Sequence, residues 1–125
     1  MFCYQCEQAA NGKGCTRVGI CGKDTDTAEL QDLLIHAVKG ISMYAHRARR
    51  LGVSDRKLDV FIIEALFSTV TNVNFDPGRL EQLLSEAGRI IELAARLYAD
   101  ACTARGQEPE QLAGPALWRP AGDRD

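Results

Sequence analysis

Four of the five cysteines in this chain, Cys3, Cys6, Cys15 and Cys21, fall in its first two dozen residues, MFCYQCEQAANGKGCTRVGICGKD, with the spacing C-x2-C-x8-C-x5-C. Thiolates are the ligands that structural zinc and iron–sulfur clusters take, and four of them brought to one point complete either kind of site. A zinc site usually draws its sulfurs from two short C-x2-C knuckles. Here only Cys3 and Cys6 form one, while Cys15 and Cys21 stand farther apart. A cubane [4Fe–4S] cluster is a larger object, and wide, unequal spacings suit it. The stretch also differs from the bacterial ferredoxin run, because Gly22 and not proline follows the last cysteine. The spacing favours iron–sulfur over zinc and leaves disulfides third.

Composition agrees. The chain has 125 residues, enough for one domain with a modest core. Hydrophobic residues make up 46%, charged residues 26%, and the formal net charge is -2, so neither a basic nucleic-acid surface nor a strongly acidic tail is present. No apolar run approaches the length of a membrane span, and the N-terminus carries neither the basic nor the apolar region of a secretory signal. Without export the cysteines are expected in the reducing cytoplasm, where structural disulfides are rare, and an odd count suits a disulfide framework poorly.

The elements that must position these sulfurs are helical. Leu30, Leu33, Leu34, Ala37, Val38, Ile41, Ala45 and Ala48 recur at three- and four-residue steps and predict one amphipathic helix over about 25–51, closed by Gly52. Asp24 and Thr25 are candidate N-caps. Gly40 inside the pattern costs helix stability and marks a place where another backbone comes close. A second helix is expected from Ser54 or Asp55, with Leu58, Phe61, Ile62, Ala65, Leu66 and Val70 inward. Its VFIIEALF run is apolar around most of the circumference, which predicts partners on several sides. Asn72 and Asn74 read as its stop. Asp76 as cap and Pro77 at the first position open a third helix, with a stripe from Leu80 through Ala101 and Gly106 at its end.

Three such helices with short connections predict an all-α three-helix bundle carrying an N-terminal cysteine-rich iron–sulfur loop. The expected division is a cluster loop at 1–24, the bundle at 25–106, and a Pro/Gly-rich tail or linker at 107–125, in one domain overall. Leu117 and Trp118 are the residues of that tail able to dock back.

The residues FCYQCEQ, GKGC, GICGKD and the helix TAELQDLLIHAVKGIS together resemble the N-terminus of the hybrid-cluster protein family, also called prismane proteins or hydroxylamine reductases. The resemblance is strong over residues 1–45 and looser onward to GPALW. It implies that Cys3, Cys6, Cys15 and Cys21 bind a [4Fe–4S] cluster, the x8 and x5 spacings being similar to that type and not to the wider spacing of members with a [2Fe–2S] centre. Members of the family are several hundred residues long, and their catalytic hybrid cluster lies in later domains. The resemblance therefore implies an electron-transfer domain that relays electrons to a catalytic hybrid-cluster domain, or to a redox partner or separate catalytic subunit, without being catalytic on its own. The alternative from the residues alone is a zinc-stabilised helical interaction module with no redox role.

Other residues carry less. Lys13, Arg17 and Lys23 lie among the cysteines and suit a solvated loop as well as electrostatic tuning. Cys102 reads as a buried small apolar residue, and His36 and His46 fall off the apolar stripe toward solvent. His46, Arg47, Arg49 and Arg50 form a basic helix end that suits the helix dipole, with docking of an acidic partner as the sharper alternative.

Overall fold

The computed structural model describes residues 25–70 and 77–120. Cys3, Cys6, Cys15 and Cys21, the stop at Asn72 and Asn74, the Asp76 cap and the end of the tail lie outside the described residues. Within them the protein is all-α: helix α1 (Thr25–Arg50), helix α2 (Arg56–Val70), helix α3 (Pro77–Ala104) and a short 3-10 turn (Gly114–Leu117). No strand occurs among the described residues, and no helix there is long and apolar enough to cross a membrane.

The ends of the helices follow from local chemistry. Backbone N–H of Lys57 donates to the Asp55 carboxylate at 2.7 Å, which makes Asp55 the cap of α2. Gly52 and Gly106 adopt φ of 84° and 68°, the left-handed conformation that closes a helix at little cost for glycine. Each sits in the paired bonding of a Schellman stop: Val53 N–H to Ala48 C=O (3.0 Å) with Gly52 N–H to Arg49 C=O (2.9 Å), and Gln107 N–H to Cys102 C=O (2.8 Å) with Gly106 N–H to Thr103 C=O (3.1 Å).

The three stripes meet in one core. Leu30, Leu34, Ala37, Val38 and Ile41 come from α1, Leu58, Phe61 and Ala65 from α2, and Leu80, Leu83, Leu84, Ala87, Ile91 and Ala94 from α3. The packing is uneven. α1 and α3 form the main pair, α2 leans chiefly on α1, and α2 touches α3 little. Two expected core positions are corrected: Leu33 is 38% exposed, and Leu66, 39% exposed, borders an open groove beside Ile35, Val38 and Met43 of α1.

Beyond α3 the chain turns back as a strap along α1 and α3. The Tyr98 hydroxyl accepts from Glu110 N–H (2.9 Å), Arg47 pairs with Glu110 (3.0 Å), and the Tyr44 hydroxyl donates to Ala116 C=O (3.4 Å). Ala116 is fully buried and Trp118 packs on the core, whereas Leu117 is 65% exposed. Arg119 pairs with Glu92, and the Pro120 ring lies over Gly88, where a Cβ would come within 2.6 Å of it. The close approach expected at Gly40 is present, the neighbour being the Pro115 carbonyl.

Candidate functional site

The cysteine segment joins the bundle at Thr25, so the end of the bundle that matters is the one where α1 begins, α2 finishes and α3 begins. There the core changes character. Thr27, Gln31, Ser68 and Thr69 are buried to 6% exposure or less, and they are the only buried polar side chains among the described residues. Burying such groups is costly unless they are hydrogen-bonded, and Gln31, Ser68 and Thr69 each donate one such bond. Gln31 Nε2 donates to Ser68 C=O (3.2 Å) across 37 positions of sequence. The Ser68 and Thr69 hydroxyls donate back to Ala65 and Leu66 C=O (2.7 and 2.8 Å). Thr27, Gln31 and Thr69 each also take part in further interactions.

Sequence reading singled out none of this polar layer as a site. The signal was available at Gln31, which sits in the register of the α1 stripe between Leu30 and Leu34. A polar residue in an apolar register marks either a solvated break or a buried hydrogen bond, and the fold makes it the second.

The remaining sequence-level candidates are placed as follows. Cys102 is a free thiol at 1% exposure, packed with Ala48 and Tyr98, and it is a core residue. His36 and His46 are exposed. In the basic end of α1, Arg47 and Arg49 are engaged within the chain, Arg47 by Glu110 and the Met43 carbonyl and Arg49 by Asp59 (2.8 Å). No group of three or more histidines, cysteines and carboxylates able to hold a metal ion occurs among the described residues.

Comparison with known proteins takes in the cysteine segment as well as the bundle. Residues 1–114 match the family described as the Prismane/CO dehydrogenase family. The chain is 54% identical over 124 residues to a hydroxylamine reductase of Rhodospirillum rubrum, an alignment covering 99% of this chain and 23% of that protein. It is 52% identical over 125 residues to a hydroxylamine reductase of Acidithiobacillus ferrooxidans (97% of this chain, 22% of that protein). For a hydroxylamine reductase of Geobacter metallireducens the identity is 46%, covering 98% of this chain and 23% of the relative. The chain thus spans less than a quarter of the length of the curated relatives it matches.

Proposed function

The chain belongs to the Prismane/CO dehydrogenase family, and from that premise we propose that it is a [4Fe–4S] electron-transfer domain like the N-terminal part of a hydroxylamine reductase. The observation that carries the reading is that the family match runs through the whole cysteine segment and on into the bundle. The donor set fits the group: four thiols between Cys3 and Cys21, with unequal spacing and interleaved glycines. Cys3, Cys6, Cys15 and Cys21 would hold the cluster. When bound, such a cluster supplies reversible one-electron storage.

The chain's own residues then have separable tasks. The thiolates provide the ligands. Thr25 is four positions after Cys21, with three residues between them, so the covalent chain keeps that ligand within about 14 Å of the start of α1. The amide end of α1 carries partial positive charge, which favours the added negative charge of the reduced state. The hydrogen-bonded layer of Gln31 and Ser68 gives the loop a fixed base to join. In this reading residues 1–24 are the cluster loop of a single domain, working in the cytoplasm, where thiols stay reduced. Electrons pass to the portion of a hydroxylamine reductase that this chain does not span, on the same polypeptide or on a partner.

Anaerobic purification tests the proposal. The protein should be brown, with iron and acid-labile sulfide near four of each per chain. Serine at any of the four N-terminal positions should lose or convert the cluster, and Cys102→Ser should keep full iron. Colourless protein with one zinc per chain, or equal iron loss in Cys102→Ser, would sink it.

A further inference from the structure

α2 is apolar on two sides and covered on one. Leu58, Phe61 and Ala65 face the core. Val60, Ile63 and Phe67 recur at i, i+3 and i+7, so at 100° per residue they share a narrow stripe on the opposite side. They are 39%, 67% and 58% exposed. Of the six large apolar residues left exposed among the described residues, four belong to α2, the fourth being Leu66. The stripe continues into a groove between α2 and α3 that Val60, Ile90 and Leu93 line. The charges lining the groove are mixed in sign, Arg56, Lys57, Arg89 and Arg96 against Asp55, Glu64 and Glu86, so they select strongly for neither an acidic nor a basic partner. An apolar stripe with such a rim fits a protein surface.

We propose that the Val60–Ile63–Phe67 stripe is the face on which this bundle docks the part of a hydroxylamine-reductase-like protein that lies beyond the match. The occupant follows from length. The Rhodospirillum rubrum and Acidithiobacillus ferrooxidans relatives match nearly all of this chain with 23% and 22% of their own. In each of them a bundle of this kind is one part of a much larger protein and must present a face to it. The strap already covers one side of the α1–α3 pair, and the outer side of α2 is bare. The inference rests on the proposed working of this chain with a larger protein, and not on which metal the cysteines hold.

The test joins this chain to the remainder of the Rhodospirillum rubrum relative and compares the fusion with the isolated chain. Alkylation of an Ile63→Cys variant, followed by peptide mapping, should be at least tenfold slower in the fusion, while Glu108→Cys on the exposed strap reacts equally in both. Mixing the two separately purified parts gives a second measure: they should associate, and Ile63→Glu with Phe67→Glu should weaken association at least tenfold while leaving the helicity of the isolated chain unchanged. Equal labelling of Ile63→Cys in fusion and isolated chain overturns the proposal, as does association indifferent to the double substitution. Labelling that slows with the concentration of the isolated chain alone would make a second copy the occupant and also overturn it. Iron content is measured on the same samples, so an iron-free protein that still shows protection would refute the cluster and leave the docking face standing.

Discussion

The carbonyl oxygen of Pro115 occupies the space in which residue 40 would carry a side chain, and Ile91 Cδ1 bounds the same space at 2.8 Å from an ideal Cβ. Glycine inside a helix costs about 1 kcal/mol relative to alanine. Here that cost permits the strap to lie directly on the backbone of α1. Gly40→Ala should therefore lower stability by about 1–3 kcal/mol through overpacking, against the helix-propensity trend. Trp118 is the only tryptophan and packs on the core, so its fluorescence reports the strap. A red shift together with a lower melting temperature is expected. A variant more stable than the parent would show that the strap yields freely.

The buried bond from Gln31 to the Ser68 carbonyl gives a second test. Gln31→Met keeps the approximate volume and removes the donor. Leaving a buried carbonyl short of its partner costs about 1–3 kcal/mol. Chemical denaturation should show a loss of that size with an unchanged slope. A neutral result would mean that water or a neighbouring group replaces the amide.

Removal of metal should separate loop from bundle. The described core is built from the apolar stripes of the three helices. Unlike a zinc finger, whose fold depends on its metal, this protein should keep most of its far-UV helical signal after anaerobic chelation. Collapse to random coil would show that the sulfurs hold the whole fold together.

Hydroxylamine should not be turned over by this chain alone. Cleavage of an N–O bond at a metal needs a coordination position open to substrate. Four cysteines supply one thiolate for each iron of a [4Fe–4S] cluster, which leaves no such position. With a reduced viologen as donor, reoxidation by hydroxylamine should be no faster than with a small ferredoxin. Sustained turnover in contaminant-free protein would require a labile ligand or a second centre.

Much of the fold was legible because helices announce themselves by period. The stripes through Leu30–Ile41 and Leu80–Ala94, the Asp55 cap and the stops at Gly52 and Gly106 are local signals, and each is where its chemistry puts it. Gly40 was legible as a close approach, but not the identity of its neighbour, which is 75 positions away. Leu66 was misread as inward because periodicity gives the apolar side of a helix without saying how much of it a neighbour covers. The cysteine pattern points to cluster chemistry by types and spacing, and its four positions lie outside the described residues. The polar layer of Gln31, Ser68 and Thr69 was not legible, since it exists only once α1 and α2 are brought together.

The uneven grip on the three helices also orders them in time. α1 and α3 hold each other along their length, while α2 is fastened mainly along one side and carries its bare apolar stripe on the other. Cooperative opening costs least where contacts are fewest. Backbone amides of α2 should therefore exchange with solvent through a partial opening that leaves the α1–α3 pair closed. Whatever covers the outer side of α2 would then set how often that helix lets go.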